Sequence, residues 1–316
     1  MGYNPWTNAS TRRKRMSDYI AYYNGEWMPY GDVKVHPQDR GFTLGDVVFD
    51  VERTFNGKSF RMKEHIDRLY RSLKYVRIDP GLSNEEMLGV SEEAIRLNEH
   101  LRPPGGDFNI RQFVTRGPGR STKEAGPPTV GVTVAPIDFS RYARFYDDGV
   151  HAVIARTRSY SSDALDPKVK HHSRMNFNLA DLEAQDVDDG AWPILMDAVG
   201  NLTEGTGYNF FLVTDGVLRT PGDETILQGI SRGSVLDLAE QLQIVHTEEA
   251  LQPYDLYTAD EAFFCSTSHC VLPMTVADKR VIGDGKPGPI TQQLLAAWSE
   301  MVGVDIVDQA VQAARG

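Results

Sequence analysis

The sequence predicts an α+β protein of two domains, and three observations carry that expectation. The chain has 316 residues, about two domains' worth at roughly 150 residues each. Strand-like stretches come in runs interrupted by single helices, a pattern of segregated α+β units rather than of a doubly wound parallel sheet. Residues 138–148 break the pattern and separate one run of elements from the next. The expected organisation is a flexible extension over 1–16, a small N-terminal domain over 17–138, an interdomain linker over 139–148 and a larger domain over 149–316.

Residues 19–30, YIAYYNGEWMPY, centre on Asn24-Gly25, a strong hairpin signal. VVFDVERTF over 47–55 is rich in β-branched and aromatic residues and reads as a strand that Asn56-Gly57 turns back. Over 63–77 a helix is expected, because Ile66, Leu69, Leu73 and Val76 recur every three or four residues. A second helix fills 84–98, and Arg102 to Gly106, RPPGG, breaks the chain. Strands follow at 108–115 and 129–136, joined by the polar loop RGPGRSTKEAGPP. Beyond the junction, VHAVIARTR is a strand and 176–185 a helix. Residues 192–221 read as a meander with turns at Val199-Gly200 and Asp215-Gly216. A helix over 230–242, a buried strand over 262–266 and an amphipathic helix over 291–302 complete the chain.

Composition removes several function classes. The net charge of −11 presents a polyanion with a repulsive field, so no nucleic-acid partner is expected. No apolar run approaches the roughly 20 residues that span a bilayer, so no membrane role is expected. Two cysteines cannot staple a chain of this length, which fits a reducing, cytoplasmic setting. Cys265 and Cys270 read as packed free thiols. The basic run Arg12 to Arg15 has no apolar segment behind it and reads as a solvated leader, not a secretory signal. His171 and His172 lack a carboxylate or cysteine at ligand spacing, so no metal is expected. Neither a Gly-x-Ser-x-Gly nor a P-loop pattern is present.

Three stretches carry candidate chemistry. Glu204 precedes Gly205, Thr206 and Gly207, small residues that leave room for a flat group, although a surface turn would have the same composition. Gly229-Ile230-Ser231 opens a helix, whose free N–H groups hold phosphate well, although an ordinary helix cap would look alike. Ser266-Thr267-Ser268 follows a buried strand and offers hydroxyls, as a polar turn also would.

Together these pieces spell a pattern. Glu204, Thr206, Asn209 with Phe210-Phe211, Leu218-x-Thr220 and Leu227-x-Gly229-Ile230-x-Arg232 resemble the signature of the class IV aminotransferases at every required position and spacing. Asp39 to Leu73 resembles the N-terminal block of D-amino acid and branched-chain aminotransferases. DGVLRTP, ILQGISR, FFCSTS and GPIT are most similar to (R)-selective amine transaminases. The resemblance covers nearly the whole chain from about Ser17. It implies fold type IV: a small and a large α/β domain with pyridoxal 5'-phosphate (PLP) between them, in a homodimer with shared active sites.

The resemblance also implies roles. The family form is a lysine followed by fourteen residues ending in Glu-Ala, and Lys170 satisfies it with Glu183-Ala184; Lys168 is two residues off. Lys170 would carry PLP as a Schiff base and shuttle the substrate's α proton, which demands a neutral amine. Glu204 would pair with the pyridine nitrogen. Arg68 would grip the phosphate, with Ile230, Ser231, Ser266 and Thr267 completing its cup.

The substrate shell is mixed. Phe49 stands where D-amino acid and (R)-amine enzymes place tyrosine, and Leu44 where the latter place histidine. The loop carries Arg120-Ser-Thr122 where D-amino acid enzymes carry Arg-x-His, and Val51 replaces the glycine of branched-chain enzymes. Arg53, Arg111 and Arg120 therefore compete for the substrate carboxylate, with Phe49 and Ser268 lining the pocket. Arg53 and Arg111 could equally pair with acids across the sheet, whereas Arg120, in a loop that relatives donate from the partner subunit, could swing in. The resulting expectation is a PLP-dependent, ping-pong transaminase. It would move an amino group between a hydrophobic amino acid or (R)-amine and a 2-oxo acid of the pyruvate or 2-oxoglutarate type. The alternative is an aminodeoxychorismate lyase-like enzyme that releases pyruvate.

Overall fold

Alternating apolar residues build two sheets in the computed structural model, which describes residues 16–315. The extension expected over 1–16 lies outside them except for Met16. The first sheet contains β1 (Ile20–Tyr23), β2 (Glu26–Pro29), β3 (Val47–Phe55), β4 (Lys58–Ser59), β5 (Phe108–Thr115) and β6 (Thr129–Pro136), in the order β2-β1-β6-β5-β3-β4. Its pairs are all antiparallel. Asn24 and Gly25 both take positive φ, 51° and 93°, the conformation a two-residue hairpin requires. A short α1 (Arg40–Leu44) precedes β3. Helix α2 (Met62–Val76) buries Ile66, Leu69 and Leu73 as one stripe, and α3 (Asn84–Asn98) starts with a Ser83–Glu86 capping box. Eight of the nine residues of β3 are buried, because both of its faces are covered.

Residues 139–148, expected as a linker, are structured. They hold a turn of 3-10 helix, Phe139–Arg141, and α4 (Phe145–Asp148). Phe139, Phe145 and Tyr146 are buried, and the Tyr146 hydroxyl donates to the carbonyl of His269 at 2.8 Å.

The second sheet holds β7 (Val150–Arg158), β8 (Trp192–Met196), β9 (Asn209–Thr214), β10 (Val217–Pro221), β11 (His246–Glu249), β12 (Glu261–Ser266), β13 (Cys270–Ala277) and β14 (Arg280–Val281). Its order is β11-β10-β9-β12-β13-β7-β8, with β14 against β13. Helices α5 (Met175–Gln185), α6 (Ile230–Gln241), α7 (Pro253–Tyr257), α8 (Pro289–Val302) and α9 (Ile306–Arg315) pack around it. Phe210, Phe211, Phe263 and Phe264 are fully buried at its centre.

The expected meander over 192–221 is corrected. Only β9 and β10 form a hairpin; β8 pairs parallel with β7 through Ile154↔Ile194. The reason is α5, which lies between β7 and β8 in sequence and makes them a parallel crossover unit. Residues after β8 then fold back along it: Thr203 N–H donates to Leu195 O, and Leu195 N–H to Glu204 O, both at 2.9 Å. Among the described residues no helix is long and apolar enough to cross a membrane.

Candidate functional site

The lysine segment crosses to the first sheet. Phe49 N–H donates to the carbonyl of Lys170 at 3.0 Å and His172 N–H to that of Val47 at 3.3 Å, so 170–172 lies extended against β3. Lys170 N–H donates to the Ser72 hydroxyl at 3.2 Å, and Val169 is buried in the first sheet's core. Lys170 Nζ lies 5.0 Å from the centroid of the Phe49 ring. Burial first, then the nearby Arg68 and Arg174 cations, lower the Lys170 pKa to about 7 against the opposing pull of Asp50 and Glu204. Lys168 faces outward and pairs with Asp166 at 3.2 Å. After the lysine, Glu183 pins α5 to β7 by accepting from the N–H groups of Arg156 and Thr157 at 2.6 and 3.2 Å and from the Thr157 hydroxyl at 2.8 Å.

Arg68, on the buried stripe of α2, is gripped from below. Its Nε and Nη2 donate to the two carboxylate oxygens of Asp50 at 2.8 and 2.7 Å, and Nη1 to the carbonyl of Gln228 at 2.9 Å. His65 Nδ1 approaches the same carboxylate at 2.7 Å. Burial alone would raise the Asp50 pKa, but the Arg68 and His65 partners hold it far below the usual carboxylate range. A guanidinium has five N–H donors, so Arg68 keeps two for a ligand.

Glu204 sits where the chain returns along β8, 9% exposed, and its Oε2 accepts from Asn209 Nδ2 at 3.3 Å. Burial raises its pKa to about 7, opposed by Arg174, the Leu227 N–H, Lys170 and Arg68. The same Asn209 amide donates to Leu227 O at 3.1 Å, which fixes the approach to α6. Gly229 is the N-cap of α6 and gives no side-chain cap, leaving first-turn N–H groups free for an anion. A Cβ at Gly229 would stand 2.1 Å from Asn209 Oδ1, so glycine is required by close approach. Two signature residues are scaffolding: the Thr220 hydroxyl donates to Phe210 O at 2.9 Å, and Arg232 ties α6 to Pro221 O at 2.8 Å and Glu248 at 2.5 Å.

One cleft is lined by Arg68, Lys170, Glu204, Ile230, Ser231, Ser266 and Thr267. Arg68 comes from α2, Lys170 from the segment against β3, Glu204 from the return along β8, Ile230 and Ser231 from α6, and Ser266 and Thr267 from the end of β12 and the turn after it; all were read from the sequence. Thr267 also donates to Val51 O at 3.3 Å. Ser268 lines an adjoining cleft that shares Ser266. Phe49 is buried, with the His172 ring tilted at 52° against it, centroids 4.3 Å apart.

The arginines part company. Arg53 does not face the cleft as a free cation. Its side chain is buried at 2% exposure and donates to Asp107, Gln309 and the carbonyls of Thr54 and Ser268. The acid it answers to, Asp107, lies just ahead of β5. Arg111 is exposed on β5 and also lies outside the cleft lining; its guanidinium is 5.3 Å from the Phe49 centroid and makes no ion pair among the described residues. Arg120 is exposed in its loop and does not line the cleft of its own chain. Sequence reasoning missed Asp50, His65, Ser72 and Arg174. The signal for Arg174 was an isolated cation four residues after the lysine, at the start of a helix.

The donor set fits a phosphorylated pyridine aldehyde: a near-neutral amine, a carboxylate, a guanidinium with spare donors and an uncapped helix start converge in one cleft. Comparison with known proteins agrees with this chemistry. The family described as Amino-transferase class IV matches residues 47–276. A putative branched-chain-amino-acid aminotransferase of Methanocaldococcus jannaschii is 38% identical over 286 residues, covering 89% of this chain and 95% of its own. The D-alanine aminotransferase of Bacillus licheniformis is 31% identical, covering 89% and 96%. Among solved structures, the branched-chain amino acid aminotransferase of Escherichia coli has a TM-score of 0.84 at 26% identity, covering 90% of this chain and 95% of that one. Another solved branched-chain amino acid aminotransferase, with pyridoxamine 5'-phosphate, has a TM-score of 0.82 at 26% identity, covering 92% and 96%. The chain belongs to the class IV aminotransferases, has their fold type IV architecture and is an aminotransferase.

Proposed function

We propose that this class IV aminotransferase uses PLP, held between its two sheets by Arg68, Lys170, Glu204, Ile230, Ser231, Ser266 and Thr267. In this reading it exchanges amino groups between a hydrophobic amino acid or (R)-amine and a 2-oxo acid. The observation that carries it is the meeting of Lys170 and Glu204, each with a pKa near 7, in the cleft that also receives Arg68 and the uncapped start of α6. When bound, PLP supplies an electron sink for the carbon that loses its proton. Lys170 holds the cofactor covalently and, as a neutral amine, takes and returns that proton at Nζ. Glu204 keeps the pyridine nitrogen protonated. Arg68 and the α6 N–H groups anchor the phosphate. Phe49 supplies an apolar wall. Arg111, a cation with no acid partner beside that wall, is the best placed of the three candidate arginines to meet a substrate carboxylate. The first sheet and the second correspond to domains 17–138 and 149–316 joined through 139–148, and two chains associate as a homodimer in the cytoplasm.

The test is the absorbance of the PLP-loaded protein titrated separately with L-leucine, D-alanine and (R)-1-phenylethylamine without an acceptor. Loss of the yellow band with formation of the pyridoxamine form supports the reading, and the donor that acts fastest identifies the substrate class. A yellow protein that no donor bleaches would overturn it.

A further inference from the structure

We propose that Arg174 is a positioning residue whose guanidinium faces the phenolic oxygen of the bound pyridine ring; this rests on the PLP reading above. The case begins with its tethers. Nε donates to the carbonyl of His171 at 2.8 Å and Nη1 to that of Thr206 at 3.1 Å. His171 adjoins Lys170, and Thr206 lies two residues beyond Glu204, so the guanidinium bridges the lysine segment and the carboxylate segment. Its carbon lies 5.1 Å from the Phe49 centroid and 4.9 Å from that of Phe177. Two carbonyls and two rings therefore fix it, and its remaining N–H donors have no carboxylate partner among the described residues. Arg174 lines the same cleft as Lys170 and Glu204.

The ring's covalent structure supplies the other half. The aldehyde carbon of PLP stands opposite the nitrogen. One flank between them carries the phosphate arm, the other the hydroxyl and methyl groups. With the aldehyde at Lys170, the nitrogen at Glu204 and the phosphate at Arg68 and α6, the flank left between lysine and carboxylate is the hydroxyl edge. Arg174 ties together the two segments that border that edge. Arg68 is committed to different elements, Asp50 on β3 and Gln228 before α6. A guanidinium never loses its proton in a protein, so it would hold the phenolic oxygen as an anion and fix the tilt of the ring. The same charge helps keep Lys170 neutral.

The test compares PLP with 3-deoxypyridoxal 5'-phosphate, which lacks only that oxygen. Equilibrium dialysis gives Kd for each on the cofactor-free chain, for wild type, Arg174→Met and Arg174→Lys. Wild type is expected to prefer PLP, and the ratio of the two Kd values should fall about 10–100-fold in Arg174→Met, the worth of one charge-assisted hydrogen bond. Arg174→Lys should retain part of the ratio. The pH at which the absorption bands of bound PLP interchange should rise by about one to two units in Arg174→Met. An unchanged ratio in Arg174→Met overturns the proposal. So does a wild type that binds both compounds alike, an outcome that needs no variant to fold. A wild type that captures neither compound sinks the PLP reading itself, and this proposal with it.

Discussion

Arg68 and Asp50 form a buried bidentate pair at 2.8 and 2.7 Å, with side chains 4% and 0% exposed, directly beneath the cleft. The pair aims the guanidinium before any ligand arrives, so the phosphate meets a cation already in place. Removing the acid should do more than loosen the site. Asp50→Asn leaves a buried arginine without its counter-charge, a change that costs about 3–5 kcal/mol. Urea unfolding of the cofactor-free variant should show that loss. PLP or inorganic phosphate should then restore more stability to the variant than to wild type, because the added anion becomes the partner of Arg68. A variant as stable as wild type would contradict the pairing.

Lys170 and Glu204 move in opposite directions from their usual pKa values and meet near 7. For Lys170 the unfolded chain holds a proton that the folded chain lacks between pH 7 and 10.5, so its contribution to stability rises with pH across that window. For Glu204 the folded chain holds the extra proton between pH 4.5 and 7, so its contribution falls as pH rises there. His171, His172 and the buried His269, with lowered pKa values, add their own rise at acid pH. The two site residues are therefore isolated by difference. Wild type minus Lys170→Met should climb above pH 7, and wild type minus Glu204→Gln should decline below it. Each slope is at most about 1.4 kcal/mol per pH unit. Flat differences, measured on the cofactor-free chain, would mean that neither group is buried as described.

Arg53 and Arg111 were indistinguishable as strand arginines in the sequence, and the structure separates their chemistry. Arg53→Met should strand Asp107 and unpin α9, which Gln309 joins to both, costing about 3–5 kcal/mol in urea unfolding. Its KM for pyruvate or 2-oxoglutarate should move little relative to kcat. Arg111→Gln should fold normally and raise KM for 2-oxo acids about 10–100-fold, the worth of a charge-assisted contact. The reverse pattern would return the carboxylate to Arg53.

Legibility followed sequence range. Local periodicity located β3, α2, α3, β5 and β6 closely, because each is set by its own residues. The neighbour of β8 was not legible, since alternation specifies a strand and not its partner. Helix α9 was missed: its amphipathic stripe is short, with Ile306 and Ala310 the buried residues. The cleft residues with a motif, Lys170, Glu204, Ile230 and Ser231, were readable only through the resemblance to a family signature. Asp50 and Arg174 were not, because their meaning depends on Arg68 eighteen residues away in one case and on the Thr206 carbonyl in the other.

Gly229 offers a purely steric test of how the two halves of the cleft are coupled. Its φ of −65° suits any residue, so an added methyl group brings no backbone strain. The methyl would instead stand 2.1 Å from Asn209 Oδ1. Asn209 must then move, and it bonds both Glu204 and the Leu227 carbonyl. Gly229→Ala should therefore weaken PLP binding through the nitrogen end and the phosphate end together, with a stability loss of about 1–3 kcal/mol, as for other overpacked sites. Asn209→Ala alone removes the two hydrogen bonds but opens the space. The double variant should be more stable than the sum of the two single losses predicts, because the second change relieves the clash of the first. Strict additivity would show that Asn209 does not stand against Gly229, and that the glycine of the signature serves some purpose other than close approach.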